Sequence, residues 1–261
     1  MKNYKITLQY DGTRYLGWEH QPGKDNTIQG KLEQVLARMM EYPEGKIPNI
    51  IGCGRTDAGV HADGFVCNVH LDTNMAPEEV QSYLNRYLPD DIGAWDVREA
   101  SDRFHARYNA VGKTYRYTCW YGPAKPVFDR RYIHVLETKP DIEAMRKAAS
   151  FLIGEHDFKS FCSVHTQALT TVRKVTDLEV TREGVSVYIT VKGTGFLYNM
   201  VRIIAGTLID VGRGRLAPEA VADILYSKDR TKNPSPTAKA RGLTLVDIRF
   251  AELEDNNVSD R

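Results

Sequence analysis

Strand-like and helix-like segments follow one another in a set order through the first hundred residues, and this order constrains the fold more than any other feature. In the first segment apolar residues alternate with polar ones, the period-2 pattern of a strand with one buried face, at Tyr4, Ile6, Leu8 and Tyr10. A helix follows, with Thr27 as its N-cap and an end before Pro43. The later segments are strands at 47–53, 65–71 and 94–100 and a helix from Pro77. This order, βαββαβ, is typical of an α+β domain.

The second half of the chain repeats a related plan. Its predicted strands lie at 104–121, 131–136, 172–181, 185–192 and 243–250, and its predicted helices at 141–153, 196–211 and from Pro218. The helix at 196–211 is too apolar for full exposure to solvent, which favours contact with a second subunit. We therefore predict two α+β domains of related plan, at 1–104 and 105–252, followed by a polar tail at 253–261.

Composition places the chain among soluble globular proteins. Of its 261 residues, 42% are hydrophobic and 26% are charged, so a packed core is expected. No apolar run approaches the roughly 18 residues of a membrane span, and the N-terminus lacks the apolar core of a signal peptide. Four scattered cysteines form no Cys-x-x-Cys pair or zinc-site spacing: Cys53, Cys67, Cys119 and Cys162. We expect a cytoplasmic protein with reduced cysteines, no metal and no contact with a membrane.

The charged residues are segregated along the chain, although the formal net charge is only +1. Residues 71–102 hold eight acidic and two basic side chains, whereas residues 103–131 hold seven basic and one acidic. A second basic block, at 227–241, carries a net charge of +4, and the acidic segment at 247–261 carries −3. Such segregation permits one electropositive face on a nearly neutral molecule. On charge alone, however, chance clustering on solvated strand faces is the simpler interpretation.

The segment most suited to chemistry is GCGRTDAGVHAD at 52–63, which lies between two predicted strands. Its glycines mark backbone that takes a positive φ or is approached closely by another group. Arg55 stands two residues before Asp57, where a guanidinium would keep the carboxylate ionised and lower its pKa. An ionised and partly desolvated carboxylate can act as a nucleophile or a base.

Other interpretations of this segment stay open on the residues alone. A structural turn in which Asp57 caps the chain is about as well supported as catalysis. A metal site formed by Asp57, His61 and Asp63 would need further ligands, and none stands at a recognisable spacing. A phosphate cradle is weakly supported, because neither of the usual glycine-rich phosphate motifs is present.

The motif GRTDAGVHA at 54–62 resembles the signature of the tRNA pseudouridine synthase A family. Further motifs resemble that family in its own order: YDGTRYLGW at 10–18, TIQGKLE at 27–33, FHAR at 104–107, KTYRY at 113–117, GEHDF at 154–158, FLYNMVR at 196–202 and ARGL at 240–243. The resemblance covers residues 4–250. It implies the pseudouridine synthase fold, with two ferredoxin-like βαββαβ-type halves whose antiparallel sheets meet at a basic catalytic cleft.

The resemblance also implies a chemistry. Enzymes of the family isomerise uridine without a cofactor: the glycosidic C–N bond is broken, the uracil is turned and it is rejoined through carbon. The motif match places the catalytic aspartate at Asp57, with Arg55 and Arg202 as its electrostatic partners. Arg202 interrupts an apolar run, where an unpaired arginine is costly to bury. Tyr115 occupies the position of the family's active-site tyrosine and would stack on the displaced base.

The implied substrate is the anticodon arm of tRNA, at positions 38–40, and the implied assembly is a homodimer. A uridine stacked in an RNA stem must be flipped out before a side chain can reach it. The family's counterpart of Arg55 helps by filling the vacated space. The basic blocks then become candidate phosphate contacts, with Arg103, Arg107 and Lys113 nearest the catalytic motifs.

Three alternatives remain at this stage. The chain departs from the family's usual pattern at Phe65 and Glu19, where glutamine is common, so a paralogue acting on another RNA such as rRNA is one alternative. A non-catalytic RNA-binding protein is the second, and the joint presence of the four implied active-site residues argues against it. A metal-dependent hydrolase is the third, and chelation would inactivate it.

Overall fold

The computed structural model describes residues 1–21, 23–24, 26–164 and 168–251. It has the mixed α+β architecture that the sequence predicts. The helices are α1 (Ile28–Met39), α2 (Pro77–Tyr87), α3 (Ile142–Ser150), α4 (Met200–Gly212) and α5 (Ala220–Ser227). The strands are β1 (Lys2–Tyr10), β2 (Ile50–Gly52), β3 (His61–Leu71), β4 (Ile92–Ala100), β5 (Ala110–Trp120), β6 (His134–Val135), β7 (Gly154–Asp157), β8 (Val172–Glu183), β9 (Ser186–Gly193) and β10 (Leu243–Phe250).

These strands form one mostly antiparallel sheet whose main path runs β4-β1-β3-β10-β5-β9-β8-β7. The strands of the first half occupy one end of the path and those of the second half the other. The last strand, β10, lies between them: it pairs antiparallel with β5 and parallel with β3, through Thr244 opposite His61 and Leu245 opposite Ala62. The end of the chain therefore joins the two halves. A domain boundary near residue 104 stays a prediction, and the predicted tail at 253–261 lies outside the described residues.

The apolar helix predicted at 196–211 is shorter at its start, because α4 begins at Met200. Asn199 has a φ of 60°, in the left-handed region, so the preceding residues cannot continue the helix. Eleven of the thirteen residues of α4 are buried within this single chain. At Gly206 an added Cβ would lie 2.0 Å from the carbonyl oxygen of Pro236, which shows how closely the covering segment approaches. The apolar character of this helix therefore gives no support to a dimer.

Two strands predicted from the sequence are much shorter in the structure. The first, predicted at 47–53, is reduced to Ile50–Gly52, consistent with Pro48, which has no N–H to give to a strand ladder. The strand predicted at 131–136 is reduced to His134–Val135. Within the described ranges, none of the helices has the length and apolar character needed to cross a membrane.

The contact between β3 and β10 depends on a glycine, and this gives a testable consequence. At Gly64 an added Cβ would lie 2.6 Å from the carbonyl oxygen of Val246 in β10. We expect Gly64→Ala to lower the free energy of unfolding by about 1–3 kcal/mol, because the two backbones would have to separate. Urea denaturation measures this change, with Gly195→Ala as the control, since nothing lies within 4 Å of its added Cβ. Equal stability of the two variants would show that the close contact between β3 and β10 does not depend on Gly64.

Candidate active site

The loop between β2 and β3 carries Asp57 and is fastened to the start of the chain by backbone hydrogen bonds. The N–H of Trp18 donates to the carbonyl of Thr56 at 3.1 Å, and the N–H of Gly59 donates to the carbonyl of Tyr15 at 3.3 Å. Gly17, with a φ of +100°, permits this approach, because a Cβ there would lie 2.6 Å from the Thr56 oxygen. The motifs at 10–18 and 54–62 thus form one packed unit that fixes the loop.

Asp57 and Arg202 are brought together although 145 residues separate them. The Arg202 Nη1 donates to Asp57 Oδ2 at 3.2 Å, and the two side chains are 18% and 23% exposed, respectively. Arg202 is held in place by two further bonds, from Nε to the Ala238 carbonyl and from Nη1 to Asn199 Oδ1, each of 2.8 Å. The guanidinium is therefore a fixed positive charge at the carboxylate.

The electrostatic state of Asp57 differs from the sequence-based expectation. Burial raises the pKa of Asp57, and the charge and hydrogen bond of Arg202 oppose this rise without cancelling it. Arg55, which was expected to pair with Asp57 and lower its pKa, instead forms an ion pair with Glu19, with Nη2 to Oε1 at 2.6 Å. The prediction of an Arg55–Asp57 pair is wrong in this structure, because Arg55 pairs with Glu19 and Asp57 pairs with Arg202.

Tyr115 lies on β5 and faces the same cleft as Asp57. Its ring is 9% exposed and packs edge-on against Phe196, with 5.4 Å between the ring centroids. Burial, and then the neighbouring Cys53 and Asp57, raise the pKa of Tyr115, so its hydroxyl stays protonated at neutral pH. In the described part of the chain no hydrogen-bond partner is seen for this hydroxyl. Tyr117, two residues further along β5, is fully buried, and its hydroxyl donates to the Lys239 carbonyl.

Lys113 supports the loop from the other side. Its Nζ donates to the Cys53 carbonyl at 2.9 Å, and a Cβ at Gly54 would lie 2.5 Å from that nitrogen. Burial lowers the pKa of Lys113. Burial also raises the pKa of the Cys53 thiol to about 11, so this cysteine is not a thiolate nucleophile at neutral pH.

A cleft of about 1130 Å³ surrounds these side chains. Two carboxylates line it, Glu19 and Asp57, together with five basic side chains, Arg55, Arg107, Lys113, Arg173 and Arg202. Arg103, which the sequence also suggested, is exposed but does not line the cleft. The lining further includes four aromatic residues that sequence reasoning did not select for this role: Trp18, Tyr108, Phe196 and Tyr198. Each stands in or beside a motif that had been noted, which is the signal that could have found them.

The three residues weighed as a metal site do not converge. His61 is 3% exposed; its Nδ1 accepts from the Gly12 N–H at 3.1 Å and its Nε2 lies 3.0 Å from the Arg131 carbonyl. Asp63 instead accepts a hydrogen bond from Gln9. In the ranges that the structure describes, no three His, Cys, Asp or Glu side chains are grouped as metal ligands. His61 is better explained as a buried support at the start of β3.

The raised pKa of Asp57 predicts how stability changes with pH. The folded chain keeps the Asp57 proton to a higher pH than the unfolded chain, so the wild type loses stability as the pH rises through the folded-state pKa. Asp57→Asn removes this loss, and the variant is expected to gain stability relative to the wild type as the pH rises. Urea unfolding of both proteins across the acidic and neutral range measures the difference. A difference that stays constant with pH would contradict the prediction.

Comparison with known proteins identifies the family to which the chain belongs. The family model described as tRNA pseudouridine synthase matches residues 6–109 and 148–251. A protein of Bacillus anthracis named tRNA pseudouridine synthase A 2 is 46% identical over 250 residues, which cover 96% of this chain and 100% of that relative. Proteins named tRNA pseudouridine synthase A from a Bacillus species and from Caldicellulosiruptor bescii are 47% and 42% identical over the same shares. This chain therefore belongs to the tRNA pseudouridine synthase family.

Proposed function

We propose that the protein converts uridine to pseudouridine at positions 38–40 in the anticodon stem-loop of tRNAs, with Asp57 as nucleophile. The observation that carries the proposal is a carboxylate held by Arg202 inside a basic cleft, on a loop whose sequence is similar to the family's signature. Family membership supports the isomerase reaction itself, and the motif match supports the choice of aspartate.

The reaction needs a group that stays in place while the uracil is detached. The C1′–N1 bond breaks, the C1′–C5 bond forms, C5 loses a proton and N1 gains one. The Asp57 carboxylate can add to the sugar or base, or stabilise a cationic sugar, and Arg202 stabilises its ionised form. Tyr115, buried and protonated, presents a ring and a hydroxyl in the same cleft. We assign it to stacking against the displaced base.

Binding of a flipped nucleotide follows from the cleft's charges. Arg107 and Lys113 line the cleft and are the proposed phosphate contacts, whereas Arg103 has no support from its position. Arg55 is 58% exposed and its partner Glu19 is 44% exposed, so their ion pair contributes about 1 kcal/mol or less. The guanidinium can therefore leave Glu19 at little cost and fill the space from which the uridine is flipped.

The proposed assembly is a homodimer in the cytoplasm, where tRNA is modified. The family resemblance supports the dimer, and the exposed apolar side chains of Val127 and Phe128, at 58% and 93%, are available for a contact between subunits. A tRNA substrate supports the cytoplasmic location. Sedimentation of the purified protein with and without RNA tests the assembly. The chemistry proposed above takes place within one chain.

Asp57→Asn is the central variant for this function. We expect it to lower the single-turnover rate by about a thousandfold or more, because an amide cannot replace the ionised carboxylate as nucleophile. Tritium release from tRNA labelled at C5 of uridine gives the rate, and carbodiimide labelling locates the product. RNA affinity should be retained, which separates loss of chemistry from loss of binding.

Asp63→Asn is the matched control, since Asp63 is an exposed carboxylate outside the cleft, six residues further along. It should keep a normal rate. Normal turnover by Asp57→Asn would remove Asp57 from the proposed role. Pseudouridine formed only in rRNA transcripts would assign the protein to another RNA, and RNA binding with no pseudouridine in any transcript would make it a non-catalytic binder.

A further inference from the structure

Tyr108 is a large aromatic residue that remains 78% exposed while lining the cleft that holds Asp57. It belongs to the connection between β4 and β5, directly after the FHAR motif. Exposed single aromatic residues are common on proteins and need no explanation by themselves. Tyr108 does need an explanation, because its ring lies in the cleft and is supported by the residues beneath it.

The ring of Tyr108 is backed by an imidazole. The ring of His105 stacks on one face, with 4.1 Å between centroids and 25° between planes, which leaves the opposite face open. The N–H of Tyr108 donates to His105 Nδ1 at 3.2 Å, so the imidazole is fixed to the same turn. A tyrosine backed in this way presents a flat apolar surface with little freedom to rotate.

Three amide side chains, of which Asn3 and Asn68 are buried, hold this turn in place. Asn68, which is fully buried, accepts a hydrogen bond from the Ala106 N–H at 2.8 Å. The Nδ2 of Asn3 donates to the Phe104 carbonyl at 3.0 Å, and Asn109 Oδ1 accepts from the His105 N–H at 2.7 Å. The exposed ring therefore stands on a rigid base, and its exposure is not the result of a loose loop.

The surroundings of Tyr108 favour a nucleic acid base as the group that covers it. Arg107 precedes it in the chain and Lys113 lines the same cleft, so phosphates are attracted next to the open ring. Proteins recognise unpaired bases in RNA loops by stacking them on aromatic side chains of this kind. Tyr198, at 54% exposed, also lines the cleft, whereas Tyr226, at 71%, lies outside it.

We propose that the His105–Tyr108 pair is a stacking subsite for an unpaired nucleobase next to the target uridine in the RNA loop. The subsite rests on the proposed function, because its ligand is the flank of the RNA whose uridine reaches Asp57. It contributes to the affinity for RNA and to the choice of uridine, and it takes no part in the bond changes.

The test combines a variant with an abasic RNA scan. A tRNA anticodon stem-loop with its target uridine is prepared intact and with a single abasic nucleotide at each loop position beside the target. Affinities are measured by filter binding in the Asp57→Asn background, where no product forms. Tyr108→Leu should weaken binding of the intact RNA by roughly 5- to 150-fold, whereas Tyr108→Phe, which keeps the ring, should bind nearly as the parent does.

The scan identifies the base that stacks. At one position, the abasic nucleotide should weaken binding to the parent by the same factor and have no further effect on Tyr108→Leu. With Asp57 restored, Tyr108→Leu should raise the RNA concentration needed for half-maximal rate and leave the single-turnover rate at saturation within about twofold. Tyr226→Leu is the matched control, a similarly exposed tyrosine outside the cleft, and should match the parent throughout.

Failure of the subsite and failure of the proposed function would give different results. If the unmodified chain forms pseudouridine but Tyr108→Leu binds every RNA as the parent does, the subsite is overturned and the proposed function stands. If Tyr108→Leu changes the sedimentation of the free protein and leaves RNA affinity unchanged, Tyr108 belongs to a protein interface and the subsite is again overturned. If the unmodified chain neither binds nor modifies the stem-loop, the proposed function fails and the subsite fails with it.

Discussion

The position of β10 between β3 and β5 is the constraint on which the site depends. The ladder to β3 contains only two residue pairs, next to the end of the loop that carries Asp57, whereas the ladder to β5 runs past Tyr115. The short segment before β10 supplies the Ala238 carbonyl that holds Arg202. The last strand and the segment before it therefore bring the loop that carries Asp57 together with β5 and α4 of the second half.

Burial and charge act against each other at Asp57. Burial in the cleft disfavours the ionised carboxylate and raises its pKa. The fixed guanidinium of Arg202 favours the ionised form but offsets only part of this rise. Such a site lowers the stability of the fold when Asp57 is ionised, a pattern known where activity requires a strained or desolvated group. The same partial desolvation makes the carboxylate reactive toward a substrate that excludes the remaining water.

Much of the fold could be predicted from the sequence because its signals are local. Alternation in β1 and helical spacing in α1 are set by neighbouring residues, and both elements form close to where they were expected. The start of α4 was missed because it depends on the single left-handed residue Asn199. The placement of β10 between the two halves involves residues far apart in the chain, which no local pattern specifies.

The active site, like the fold, could be predicted from the sequence only in part. The motif at 54–62 marked the loop, and the family resemblance marked Arg202 and Tyr115, but the choice of ion-pair partner for Asp57 depends on tertiary contacts. Sequence proximity favoured Arg55, whereas packing turned it toward Glu19. Tyr108 carried no chemical signal of its own, since only the folded cleft shows that an exposed ring stands beside the basic side chains.

The Arg202 charge favours the ionised form of Asp57, the proposed nucleophile, within a desolvating cleft. The most direct measurement is the single-turnover rate as a function of pH, at saturating RNA, for the wild type, Arg202→Lys and Arg202→Gln. Loss of the charge in Arg202→Gln should raise the pKa of Asp57 further and move the acidic limb of the profile to higher pH, whereas Arg202→Lys should stay nearer the wild type. An acidic limb that is unchanged in Arg202→Gln would contradict the account.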